Sequence, residues 1–209
     1  LIANQDPRCI QTQLTTRASS SPGLKPETSK QWAMGVVLEP AQALSVALDY
    51  WKIEKKDNIG VLTADTILPN PDDLTLYNQF RNRFVRNAAG TTLYVDQPAE
   101  NLGKLRSAGW DLDVRARIKA PGGTLAMSFA GTYLTMWELQ NSKDGPYTQY
   151  LGNSFNGGIA YPRWTHVAAV DYTRGPWTAT LEQTYTHGWE EAFQLGGTHR
   201  IPSHSRFNL

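Results

Sequence analysis

The sequence predicts an all-β chain: an antiparallel up-and-down meander forming part of the wall of a large transmembrane β-barrel, with short periplasmic turns and long extracellular loops. Three observations predict it. Apolar residues recur at every second position over runs of about ten residues, the length that crosses a bilayer when tilted and beyond the ~5–6 residues of ordinary strands. Tight turns and long segments alternate between these runs. Aromatic residues collect at the run ends. No long segment keeps the i, i+3, i+4, i+7 spacing of an amphipathic helix.

In chain order, Trp32 to Leu38 alternates with Val37 as an exception on the polar side. Leu44, Val46, Leu48 and Tyr50 oppose Ser45, Ala47 and Asp49. The cleanest run follows Gly109: Trp110, Leu112, Val114, Ala116 and Ile118 point one way and Asp111, Asp113, Arg115, Arg117 and Lys119 the other. Leu125, Met127, Phe129, Gly131 and Tyr133 alternate with Thr124, Ala126, Ser128, Ala130 and Thr132. Trp164 to Tyr172 follows with His166 intruding on the apolar side and Val167 on the polar side; Trp177, Ala179, Leu181, Gln183 and Tyr185 oppose Thr178, Thr180, Glu182, Thr184 and Thr186. About seven strands result, spread over 24–209, with 1–23 read as an extracellular loop.

The connections carry the expected turn residues: Glu39-Pro40-Ala41-Gln42-Ala43, Ala120-Pro121-Gly122-Gly123 and Arg174-Gly175-Pro176. Long segments, Lys55 to Lys104, Glu138 to Gly158 and Gly188 to Ser203, separate the hairpins. A soluble sandwich has no reason to gather its short turns at one end; an outer-membrane barrel does. Tyr50, Trp51, Trp110, Tyr133, Trp137, Trp164, Tyr185 and Trp189 adjoin the long segments, while Tyr172 and Trp177 flank a short turn. They are read as two girdles at two membrane interfaces.

Composition excludes several classes. With 20 Lys+Arg against 19 Asp+Glu in 209 residues, the net charge of +1 lacks the basic excess of a general nucleic-acid binder. The single Cys9 excludes an internal disulfide framework or a CxxC pair; its partner is either a cysteine outside this sequence or none. No apolar run is long enough for a transmembrane helix. The chain opens on Leu1 without a signal peptide and stops at Leu209, so it is expected to be a piece of something longer.

Several stretches together resemble a known family. Leu24-Lys25-Pro26-Glu27-Thr28 is similar to the "LKPE-(T/S)" entry to a late barrel strand of TonB-dependent outer-membrane receptors. Gly35-Val36-Val37-Leu38-Glu39-Pro40 followed by Asp49-Tyr50-Trp51-Lys52-Ile53 resembles the family's "G-(F/V)-x-(F/L)-E-P … DYW-(R/K)-I" run. Gly109-Trp110-Asp111-Leu112-Asp113-Val114-Arg115 resembles its "G-x-D-L-D-(L/V)-R" strand, and Arg174-Gly175-Pro176-Trp177-Thr178-Ala179-Thr180-Leu181 its "(R/K)-G-P-W-x-A-T-L" turn. The resemblance implies a barrel of ~22 strands around a plug domain. It also implies uptake of a scarce ligand (ferric siderophore, cobalamin or oligosaccharide) driven through TonB. The plug, the TonB-contacting segment and the closing strand are expected to lie outside this sequence. The partners so implied are outer-membrane lipid, the plug, TonB through the N-terminal part of the full-length protein, and a small-molecule ligand, with no nucleic acid.

On this reading Asp49, Asp111, Asp113, Arg115, Arg117 and Glu182 line the lumen. Their blander role is a cross-strand ladder of opposite charges. Facing lipid, the arginines would each cost ~2–4 kcal/mol at mid-bilayer. In Phe80-Arg81-Asn82-Arg83-Phe84-Val85-Arg86, basic and aromatic residues interleave. Arg81, Arg83 and Arg86 are candidate contacts to an anionic ligand in an outer loop. The other readings are an ordinary solvated strand, or stacking on single-stranded nucleic acid, which lacks any accompanying RNP or OB pattern. His166, His187, His199 and His204 are scattered and form no HExxH, and Gly152 to Gly158 lacks the Lys-Ser/Thr of a phosphate loop. No nucleophile elbow frames a serine. No metal, cofactor or enzymatic activity is expected. The competing reading is a secreted β-sandwich or lectin-like carbohydrate-binding module, in which the same apolar faces would seal against each other.

Overall fold

A computed structural model describes residues 15–62, 64–67, 75–140, 142–155, 159–192 and 197–209; Cys9 and Asn156 to Gly158 lie outside the described residues. The chain divides into two compact units, one of residues 28–56 and 103–209 and one of residues 1–27 and 57–102.

The larger unit is a meander of seven strands: β1 (Thr28–Ala41), β2 (Leu44–Lys56), β3 (Leu105–Ala120), β4 (Gly123–Gln140), β5 (Trp164–Arg174), β6 (Trp177–Thr186) and β7 (His204–Asn208). Each pairs antiparallel with its neighbours in the chain, so the sheet order is the sequence order. Period-two alternation gives each strand one apolar face, and the tight turns let each hairpin close on itself. In the β3–β4 turn Gly122 has φ 77°, and in the β5–β6 turn Gly175 has φ 57°, a region that residues with a Cβ rarely enter. Pro40, unable to donate to a ladder, sits in the irregularity between Leu38 and Ala41.

Five of the seven strands run longer than ten residues, to 16 in β3 and 18 in β4. The excess lies at the long-loop end, where hydrogen bonding continues past the aromatic positions. There Tyr147–Gln149 folds back on Glu138 to Gln140 of β4. Asn153–Phe155, Trp189–Ala192 and Thr198–Ile201 form a separate three-stranded sheet built from two loops. Trp189 belongs to that loop sheet and not to a girdle.

Register decides the faces. Met34, Tyr50, Trp110, Tyr133 and Trp164 are successive cross-strand partners, and so are Val36, Leu48, Leu112, Gly131 and His166. Among the described residues of this unit no second layer covers that face: Met34 is 71% exposed, Trp32 52% and Trp177 79%, with Val36, Leu38, Trp110, Met127 and Leu181 also exposed. An apolar face this extensive, left open, is what a sandwich cannot have.

The smaller unit has a core of its own: Leu62, Ala64, Ile67, Phe84 and Val95, with Tyr77, Phe80 and Leu102 packed against it. Its hub is the strand Thr92–Asn101, which pairs with Ile59–Val61, Phe84–Arg86 and, in parallel, Thr16–Ser19. The long segment after β2 is therefore a folded insertion. Within it Phe80 ends a helix (Thr75–Phe80) and Arg81–Arg83 is a 3-10 turn, so of the solvated strand expected over Phe80 to Arg86 only Phe84–Arg86 is strand. The period there is three, which brings Phe80 beside Arg83 and turns Phe84 into the core.

Candidate functional site

The two faces of the seven-stranded sheet differ in chemistry along the middle of the strands. On the apolar face a band of rings crosses six strands near the long-loop end. Trp32 and Tyr50 have centroids 5.2 Å apart, Tyr50 and Trp110 4.9 Å, Tyr133 and Trp164 6.5 Å, and His166 and Tyr185 5.0 Å. Near the short turns Tyr172 and Trp177 share this face, and the Tyr172 hydroxyl donates to the Pro121 carbonyl at 2.8 Å. Eight residues along β5 separate Trp164 from Tyr172, about 26 Å of strand. A ~40° tilt reduces that to ~20 Å, and a ring at each end brings it to the ~25 Å apolar band of a membrane barrel.

The two polar intrusions on this face are satisfied locally. The Trp164 indole N–H donates to His166 Nδ1 at 2.8 Å, and Gln183 Nε2 donates to the Ser205 hydroxyl at 3.2 Å. Because Nδ1 accepts, the proton of a neutral His166 resides on Nε2.

Two aromatics assigned to the girdle from their level in the chain are on the other face. Trp51 pairs with Gly109 and its indole covers that glycine, where a Cβ would stand 2.9 Å from the ring. Trp137 is turned over by a bulge: Ala108 pairs with Met136 but Gly109 with Leu134, leaving Thr135 as an extra residue. Its hydroxyl donates to the Ala108 carbonyl at 3.1 Å. Trp137 consequently pairs with Ser107 on the polar face and stacks on Tyr161, centroids 4.0 Å apart.

The polar face holds the six charged residues singled out above. Asp49 lies directly across from Asp111, both carboxylates, so the anticipated ladder of opposite charges across strands is not what forms. Charges pair along a strand, with hydroxyls or with a side-chain amide instead. Arg115 bridges Asp113 two residues away at 2.9 Å. Thr132 donates to Asp111 at 2.7 Å, Thr180 to Asp171 at 2.6 Å, and Asn208 to Glu182 at 2.9 Å. Gly35 beside Asp49 explains how the like charges are tolerated. A Cβ at position 35 would overlap the Asp49 carboxylate, so the glycine gives that side chain room to lean toward β1, away from Asp111. Two shallow clefts on this face follow the charge. One of about 330 Å³ is lined by Asp49, Asp111, Asp113 and threonines; one of about 360 Å³, nearer the short turns, by Glu39, Arg115, Arg117 and Asp171.

In the smaller unit the three arginines part company. Arg83 is buried, ion-paired with Glu100 and 4.4 Å above the Phe80 ring. It is therefore a structural residue of the loop core, and no longer a candidate ligand contact. Arg81 is exposed, and Arg86 is exposed with a 3.4 Å contact to the Tyr77 hydroxyl.

A family described as TonB dependent receptor-like, beta-barrel, matches residues 3–209. The chain belongs to the TonB-dependent receptor β-barrel family. Among solved structures it is similar to the ferric enterobactin receptor of Pseudomonas aeruginosa, with 17% identity, a TM-score of 0.55, and coverage of 88% of this chain and 23% of that one. The siderophore receptor PirA of Acinetobacter baumannii gives 14%, 0.53, 88% and 25%. The FrpB iron transporter of Neisseria meningitidis gives 13%, 0.51, 91% and 25%. At these identities the likeness carries the fold, and the chain spans about a quarter of the length of each. No curated protein sequence matches it. Members of the TonB-dependent receptor family are outer-membrane receptors and transporters, and the seven-stranded meander is a partial wall of such a barrel, not closed on itself.

Proposed function

We propose that this chain is part of the wall of a TonB-dependent receptor in a bacterial outer membrane that takes up a scarce ligand, its apolar face against lipid and its polar face lining a plugged lumen. The observation that carries the reading is the open apolar face, bounded by a ring row at each end and matched in height to a bilayer. Short turns then face the periplasm and the long loops the exterior. Asp49, Asp111, Asp113, Arg115, Arg117 and Glu182 line the lumen and meet water and the plug of the full-length protein, through whose N-terminal part TonB acts. Of the three ligand classes implied by the family (ferric siderophore, cobalamin, oligosaccharide), the ferric siderophore is favoured, because two of the similar structures are a ferric enterobactin receptor and a siderophore receptor and the third is an iron transporter. Many ferric siderophores are anionic, and the exposed Arg81 and Arg86 suit them. Trp51, Trp137 and Tyr161, on the polar face at the long-loop end, add ring surfaces at the lumen mouth.

The test is uptake by the full-length protein. A strain deleted for its gene is supplied with radiolabelled ferric enterobactin under iron limitation, with and without TonB. Restored, TonB-dependent uptake that falls at least several-fold in the Arg81→Gln/Arg86→Gln double variant is expected. Uptake unchanged by deletion of the gene, or by loss of TonB, would refute the reading.

A further inference from the structure

On the apolar face, the β1–β2 hairpin changes character in order along its length. From the turn upward the facing pairs are Leu38 and Val46, Val36 and Leu48, Met34 and Tyr50, Trp32 and Lys52, Lys30 and Glu54, then Thr28 and Lys56. The sequence of chemistries is aliphatic, aromatic, cationic. From the ring row outward, Lys30, Gln31, Trp32, Lys52, Glu54 and Lys56 line a cleft of about 370 Å³. Glu54, the one carboxylate in it, is held by Arg106 at 3.5 Å from the neighbouring strand, and the Arg106 guanidinium in turn lies 4.2 Å over the Tyr147 ring. Lys30, Lys52 and Lys56 make no ion pair among the described residues. Three ammonium groups without an ion pair among the described residues thus stand on the apolar side of the wall, Lys52 level with Trp32 and Lys30 and Lys56 beyond the ring row.

We propose that this cleft binds the phosphate-bearing headgroup of an acylated lipid in the leaflet on the long-loop side. The match is one of charge and of height. Acyl chains lie along Val36, Leu38, Val46 and Leu48, the interfacial region meets Trp32 and Tyr50, and phosphates meet the lysines two to six residues further on. Those residues are about 7–20 Å along a strand and lie within reach of flexible lysine stems. The proposal rests on the outer-membrane reading above.

The experiment uses the full-length receptor reconstituted in phosphatidylethanolamine bilayers containing bisphosphorylated lipid A, dephosphorylated lipid A, or neither with added inorganic phosphate. Bound lipid is counted by native mass spectrometry, and folding is checked by the heat-dependent shift in gel mobility. Bisphosphorylated lipid A should be retained selectively, with a loss of about fivefold per lysine removed and roughly a hundredfold in Lys30→Gln/Lys52→Gln/Lys56→Gln. Lys→Arg replacements should retain it. Equal retention of the dephosphorylated lipid, displacement by inorganic phosphate alone, no loss in the triple variant, or lysine-dependent pairing of two receptor copies would each overturn the inference. A protein that inserts and transports iron but ignores lipid phosphate refutes only this inference, whereas one that inserts into no bilayer refutes the receptor reading as well.

Discussion

Val114 and Arg115 are adjacent in β3 and on opposite faces, so exchanging their characters separates the two environments with little change of position. Val114 lies four residues from Trp110 and four from Ile118; the latter is level with Leu125 and Tyr172 on the next two strands. Four residues are about 13 Å of strand, or ~10 Å along the membrane normal at a ~40° tilt. An arginine there is at mid-depth, flanked by Val46 and Phe129 on the neighbouring strands. The cost of Arg at the midplane of a barrel's lipid face is ~2–4 kcal/mol, which is roughly a 30- to 1,000-fold change in the folding equilibrium. Arg115→Val removes a bridge to Asp113 whose arginine is 74% exposed, and such pairs contribute ~0–1 kcal/mol. Urea titration of the full-length protein in lipid vesicles, read by gel mobility, should therefore show Val114→Arg destabilised by at least ~1 kcal/mol more than Arg115→Val. Equal effects, or a larger one for Arg115→Val, would mean that the face assignment is reversed or that neither face meets lipid.

Two further outcomes follow from the same geometry. Gly35→Ala should push the Asp49 carboxylate toward Asp111. The same titration should show a loss of ~1 kcal/mol or more that is largely absent in an Asp49→Ala background and smaller at high salt; a salt-independent, additive cost would show that the glycine has another role. The chain expressed alone without detergent should sediment as aggregate, since its apolar face and both sheet edges are open; a soluble monomer with one cooperative unfolding transition would favour the sandwich.

Much of the wall was legible in the sequence because its determinants are local. Period two in β3 alone separates Trp110, Leu112 and Val114 from Asp111, Asp113 and Arg115, and proline with glycine marks the turns. The aromatic rows were legible by level but not always by side. Parity already places Trp51 opposite Tyr50. Trp137 obeys the parity of Tyr133 until one inserted residue, Thr135, reverses it, and a bulge is visible only once two strands are paired.

The class of fold, the opposition of greasy and charged faces, and the end at which the turns are short are written in the chain, since each depends on residues two to four positions apart. Strand pairing and packing were needed to show that Arg83 is committed to the loop core through Glu100, that Asp49 faces Asp111 with Gly35 making the space, and that Lys30, Lys52 and Lys56 share one cleft beside Trp32. Those outcomes join residues brought together by register and packing, and neither the distances nor the order of side chains across a sheet is encoded in any single run of the chain.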